Sequence, residues 1–181
     1  MTEKLSFPPR FLRCPHLMTL LFAVIAAAAL GMALISQYFF GLEPCILCIW
    51  QRYPYGIVIA LGILGFIACY KNPKLGGASI GLIGVTFIVN SVIAFYHTGV
   101  ELKWWPSHLE GCAVPKMEGD MTQILADIQN RTKAVRCDEI PWSDPILNLS
   151  MANYNVVFCL GLGIIAFYSA YLILTKTLKE S

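Results

Sequence analysis

The stretch Leu17–Ser36, LMTLLFAVIAAAALGMALIS, is 20 residues long and carries no charged side chain. At about 1.5 Å per residue, a run of about 20 residues crosses the roughly 30 Å hydrocarbon core of a bilayer. Lipid cannot satisfy backbone N–H and C=O groups, so such a run is read as a helix. Three further blocks behave the same way: 49–70, interrupted only by Gln51 and Arg52, then 76–97 and 153–174. The sequence therefore predicts an all-α membrane protein, a bundle of four transmembrane helices over 17–36, 49–70, 76–97 and 153–174. Residues 1–181 form a single membrane domain. The outer loops are 37–48 and 98–152, the second long.

Composition agrees with this reading. Hydrophobic residues make up 57% of the 181 residues and charged residues 13%, against about 45–50% and about 25% in soluble domains. Disorder needs the opposite balance. A net charge of +2 gives no basic field for nucleic acid. The first apolar run exceeds the roughly 7–15 residues of a signal-peptide core, so it is expected to be retained as a span. Lys4, Arg10, Arg13, Lys71, Lys74, Lys176 and Lys179 crowd short segments on one side. The much longer loops opposite hold Lys103, Lys116, Arg131, Lys133 and Arg136. The positive-inside rule then places both termini in the cytoplasm.

Seven cysteines are distributed unevenly on this map. Cys45, Cys48, Cys112 and Cys137 fall on the outer side, where thiols in an oxidising compartment pair. Cys14, Cys69 and Cys159 read as small apolar fillers or inert thiols. Cys45-Ile46-Leu47-Cys48 closes a ring too small to stabilise a fold much, because loop-closure entropy grows with length. It suits redox chemistry instead, since a helix start or a nearby cation favours the reactive thiolate. Arg52 stands four residues past Cys48, one helical turn above it. A thiolate–guanidinium pair at about 4 Å is worth up to ~4 kcal/mol at an effective dielectric of about 20. Pro54 favours an extended Tyr53, so the second helix is expected to begin or kink there.

Cys112 and Cys137 lie in the long loop with 24 residues between them. A purely structural disulfide is one reading of that pair. Met121, Ile124, Leu125 and Ile128 form an apolar stripe at helical spacing, with Asp120 and Gln123 as a start signal. They predict a short interfacial helix lying on the membrane. Four-cysteine zinc sites use two close pairs, which this spacing does not supply, so no metal is expected. Haem attachment wants His directly after Cys-x-x-Cys, and Ile49 follows instead.

The segment Pro44-Cys45-Ile46-Leu47-Cys48-Ile49-Trp50-Gln51-Arg52 resembles the motif of the bacterial disulfide bond formation protein B family. Tyr96-His97-Thr98, Arg136-Cys137-Asp138-Glu139 and Pro141-Trp142 are similar to it as well, and the likeness covers essentially the whole chain. Pro54 and the stretch 144–148 depart from the pattern. The resemblance implies a protein-disulfide oxidoreductase of the bacterial inner membrane, a quinone reductase supporting disulfide formation in exported proteins. It implies redox disulfides Cys45–Cys48 and Cys112–Cys137, with Arg52 and His97 at a site for ubiquinone or menaquinone from the respiratory pool. The implied partner is a periplasmic thiol oxidase of thioredoxin fold, with membrane lipid around the spans. A strongly oxidising thiol oxidase near about −120 mV cannot be reoxidised by a couple near about −270 mV, a deficit of ~7 kcal/mol for two electrons, which a quinone removes. Two other classes fit part of the pattern. One is a non-catalytic membrane scaffold with a stapled outer loop. The other is an oxidoreductase resembling vitamin K epoxide reductase, in which the redox Cys-x-x-Cys follows the loop pair instead of preceding it.

Overall fold

The computed structural model describes residues 10–107, 109, 112, 136–140 and 142–179. Four long helices dominate: α1 Pro15–Phe40, α2 Ile46–Cys69, α3 Pro73–Glu101 and α4 Met151–Lys179. All four are long and apolar enough to cross a membrane. Their ends follow local chemistry. Pro15 and Pro73 open α1 and α3 at positions where the missing N–H costs nothing. The Asn72 side chain accepts the Lys74 N–H. Gly41 closes α1 at φ 65°, left-handed backbone that glycine adopts without strain.

The helices overrun the expected spans. Residues 37–40, 46–48, 98–101 and 151–152, read as loop, are helical. Hydropathy marks only the hydrocarbon-contacting part, whereas the hydrogen-bond ladder continues into the interface. Cys48 therefore sits on α2 and not in a loop. The expected helix start at Pro54 is also corrected, because α2 begins at Ile46 and continues through Pro54. Helices in lipid tolerate an internal proline more readily than soluble ones, since the freed carbonyl finds other partners. The interfacial helix expected over 120–131 lies outside the described residues.

Each helix packs on its neighbours in sequence, α1 on α2, α2 on α3 and α3 on α4. Phe22, Val58, Ile80, Ile83, Phe87 and Ala166 form the core between them. Ile63, Leu64, Val85, Val92 and Val157 face outward and are more than two-fifths exposed, an arrangement suited to lipid and not to water. Glycines set the closest approaches. A Cβ on Gly62 would stand 2.7 Å from the Cβ of Ala23, so α1 and α2 meet backbone to backbone there.

The first and last helices are not held together along their length. A short helical turn at Arg10–Arg13 bridges them at one end, where Ser169 donates to the Leu12 carbonyl at 2.7 Å. At the opposite end the gap between α1 and α4 stays open as a cavity of about 470 Å³.

Candidate functional site

Cys45 caps α2. Its backbone is extended, and its sulfur accepts the Cys48 N–H at 3.3 Å. The two sulfurs of Cys45 and Cys48 are 2.9 Å apart as free thiols, while Cys112 and Cys137 form a disulfide. Cys45, Cys112 and Cys137 are all buried and share one cluster with Leu47 and Val100. The loop disulfide thus packs directly against the start of α2, although 63 residues of chain separate Cys48 from Cys112. The two cysteines face different surroundings. Cys45 lies inside the cluster. Cys48 lines the 470 Å³ cavity together with Arg52, His97 and Glu101.

Cys45 precedes the span and takes up the start of α2. Its thiol is held well below the ordinary value, first by the hydrogen bond with the Cys48 thiol. Burial opposes this, and His97 then lowers it further. The helix start acts in the same sense, since the aligned N–H groups there favour negative charge. The sequence reading gave that role to Cys48 and Arg52. Arg52 does line the cavity, but its Nη1 donates to Gln37 Oε1 at 2.6 Å and makes no hydrogen bond to Cys48. The last turn of α1 reaches across to take the guanidinium, a consequence of α1 being longer than the hydropathy run.

His97 is 3% exposed, which is burial and not head-group anchoring. Its Nε2 lies 3.5 Å from Cys45 Sγ and 3.7 Å from Glu101 Oε1. Its Nδ1 pairs with the Gln51 amide at 2.9 Å. Beyond Gln51 the bonds continue. Asn155 Nδ2 donates to Gln51 Oε1 at 2.6 Å, and Tyr55 donates to Asn155 Oδ1. Tyr55 and Asn155 also reach Cys159 Sγ, each at 3.3 Å. Read in this sense, Gln51 Nε2–H donates to Nδ1, so the ring proton sits on Nε2 and points at Cys45 and Glu101. Turning both amides over reverses every bond without moving a heavy atom, because Tyr55 then donates to Cys159 alone.

Glu101 is the buried carboxylate of the site, 7% exposed, with Ser150 donating to its Oε2. Sequence reasoning missed Glu101, Ser150, Tyr55, Asn155 and Gln37. Glu101 carried a usable signal, since an acid four residues after His97 lies on the same helix face. Tyr55 and Asn155 offered none, because their meeting depends on α2 and α4 being brought together.

On the outer side of the cluster, Cys112 lines a second cavity of about 360 Å³ with Val100, Lys103, Trp105 and Asp138. Cys112 itself is only 2% exposed. Arg136 clamps Asp138 through two bonds, at 2.9 and 2.6 Å, and holds its carboxyl below the usual range.

The comparisons with known proteins agree with this geometry. A family model described as Disulfide bond formation protein DsbB matches residues 15–169. Disulfide bond formation protein B of Azoarcus sp. is 29% identical over 160 residues, covering 84% of this chain and 89% of that protein. The protein of the same name from Aromatoleum aromaticum is 32% identical over 147 residues, covering 78% and 82%. That from Xanthomonas campestris is 27% identical over 156 residues, covering 80% and 84%. No solved structure matches. The multi-pass helical bundle, its paired cysteines and the match across most of its length lead to one assignment: the chain belongs to the disulfide bond formation protein B family.

Proposed function

We propose that this protein reoxidises a periplasmic thiol oxidase of thioredoxin fold and passes the electrons to a membrane quinone. It does so from the bacterial inner membrane, with both termini in the cytoplasm. The observation that carries the reading is the placement of the cysteines. Three of the four redox sulfurs share one buried cluster, and the fourth opens onto a cavity with lipid-soluble dimensions and apolar walls.

The exchange runs through this chain's own sulfurs. The partner's thiolate reaches Cys112 through the outer cavity, and the S–S bond to Cys137 breaks. Cys137, released as a thiolate, attacks Cys45 and displaces Cys48. The partner's second thiol then resolves its bond to Cys112, and Cys112 recloses on Cys137 as Cys45 leaves. The result is a loop disulfide with a Cys45–Cys48 dithiol. A quinone supplies a two-electron, two-proton acceptor when bound. The two thiol hydrogens provide the protons, so the step balances without another reactant. His97 Nε2 and Glu101 lie between Cys45 and the cavity and hold the proton that leaves Cys45. Arg52, fixed by Gln37, places a permanent positive charge on the cavity wall, where it is worth most in a partly dry site.

The test is an anaerobic mixing experiment with the full-length protein in detergent, a reduced thioredoxin-fold oxidase and a short-chain quinone. Quinone absorbance and mass-mapped alkylation are followed together. One quinol is expected per partner disulfide, with Cys48 protected from alkylation only while quinone is in excess. A chain that exchanges with no partner and reduces no quinone is a stapled scaffold, and the proposal fails.

A further inference from the structure

The sequence offered no metal site because its four outer cysteines are wrongly spaced for one. The fold supplies a different donor set. Cys45 Sγ, Cys48 Sγ and His97 Nε2 all lie within 4.8 Å of one another. Glu101 Oε1 is 3.7 Å from that same nitrogen. Tetrahedral zinc, with Zn–S about 2.3 Å and Zn–N or Zn–O about 2.0–2.2 Å, needs donor separations of about 3.8 Å for S–S, about 3.5 Å for S–N and about 3.4 Å for N–O. The Cys45–His97 distance of 3.5 Å already matches, and the His97–Glu101 distance of 3.7 Å needs to close by about 0.3 Å. The sulfurs, 2.9 Å apart, need to part by about 0.9 Å to reach such an edge.

The surrounding bonds are those a zinc site requires. A ligating imidazole donates its other N–H to a fixed acceptor. Gln51 meets Nδ1 at 2.9 Å, and turning its amide presents Oε1 to that N–H. Asn155 and Tyr55 accommodate the turn as described above. The ligating carboxylate is held in the same manner, because Ser150 occupies its second oxygen. Three of the four donors, Cys48, His97 and Glu101, line a cavity, which gives an ion a way in.

We infer that the reduced Cys45–Cys48 pair, with His97 and Glu101, is a zinc site that exists only in the dithiol state and blocks the electron path while occupied. Binding is an exchange without redox change. One Zn²⁺ replaces two thiol protons, which leave to solvent, and two Zn–S bonds form. A sulfur bound to zinc can neither attack the loop disulfide nor deliver electrons to the cavity. The Cys45–Cys48 disulfide has no thiolate donor left, so the oxidised pair holds no ion. Zinc binding itself needs only that the pair can be reduced, whereas the block on electron flow rests on the proposed function. That binding stands apart from the identity of the electron acceptor.

The test uses full-length Cys112→Ala/Cys137→Ala protein in detergent, so that loop thiols cannot contribute. Zinc chloride is titrated against a chromophoric chelator, once after phosphine reduction and once after diamide oxidation. One equivalent is expected for the reduced protein and none for the oxidised. Gln51→Ala should weaken binding by about 10–100-fold, the usual cost of a lost outer partner. His97→Ala should weaken it more than Gln51→Ala does. Equal zinc uptake by the two redox states, or unchanged affinity in His97→Ala, would overturn the inference, as would no uptake by reduced protein. If His97→Ala does not fold, the two redox states of one unaltered sequence still decide it.

Discussion

Replacing Gly99 by Ala should uncouple the two cysteine pairs while leaving the bundle intact. A Cβ at Gly99 would fall inside the Trp105 indole, with even the third-nearest ring atom only 2.6 Å away. Ordinary carbon contacts begin near about 3.5–4.0 Å, so the ring must retreat by at least about 1 Å. Trp105 is tied down by its Nε1–H bond to the Tyr96 carbonyl at 3.2 Å and by stacking on Tyr96 at 6.1 Å. It packs on the cluster that joins Cys45 to Cys112 and Cys137. Losing the bond costs about 0.5–1.5 kcal/mol and losing the stacking about 0.5–1.5 kcal/mol. Residual overpacking adds about 1–3 kcal/mol. Ala is about 1 kcal/mol better than Gly inside a helix, which offsets part of this. A net weakening of loop docking by about 1–5 kcal/mol is expected, or about 5- to 4,000-fold in the docked population. The assay is acid-quenched alkylation, following electrons from a reduced Cys112–Cys137 pair to an oxidised Cys45–Cys48 pair. Helical circular dichroism should not change. Trp105→Ala should be slow by itself, and adding Gly99→Ala to it should cost almost nothing further, since the clash has gone. Wild-type transfer in Gly99→Ala would refute the claim that Trp105 seats the loop.

Three further outcomes are expected. Arg52→Gln should slow quinone reduction more than Arg52→Lys, with partner exchange intact in both. Gln37→Ala should reproduce part of the defect by freeing the guanidinium, and stopped-flow resolution of the two half-reactions separates these effects. In spheroplasts, Cys14 should resist an impermeant maleimide unless the membrane is permeabilised, and strong labelling of intact cells would reverse the orientation. The depressed Cys45 pKa means that its thiolate, present above the folded-state value, persists at pH well below the ordinary thiol value of about 8.5. Mass-mapped iodoacetamide labelling of reduced protein should therefore keep its rate at Cys45 as pH falls below about 8.5. A Cys45 labelling rate that drops about tenfold per pH unit below about 8.5 would show that the cap and His97 do not stabilise the thiolate.

Much of the architecture was legible because lipid imposes one simple rule, length of apolar run. Leu17–Ser36 and its three counterparts fall inside helices, except for Tyr70 just past the end of α2. What escaped were the ends, where Gln37 and Ser150 act beyond the hydropathy signal. At the site, Cys45 and Cys48 were readable from their spacing, and His97 from the motif it resembles. The partner of Arg52 was not, because Gln37 lies on a different helix and no local pattern links 37 to 52. The same holds for Gln51, Asn155 and Tyr55, whose chain of bonds exists only once α2, α3 and α4 are packed. Glu101 was the readable residue that went unread, an acid at i+4 from a histidine at a membrane boundary.

The gap between α1 and α4 opens at one end of the bundle and is sealed at the other by the turn at Arg10–Arg13 and the Ser169–Leu12 bond. Both cysteine pairs lie at the open end. Moving one elementary charge across a whole bilayer costs about 2.3 kcal/mol for each 100 mV of potential. A reaction that takes in and releases its electrons and protons at the same end moves almost no charge through that field. Its rate should be insensitive to membrane voltage, and a de-energised cell would still be able to turn it over.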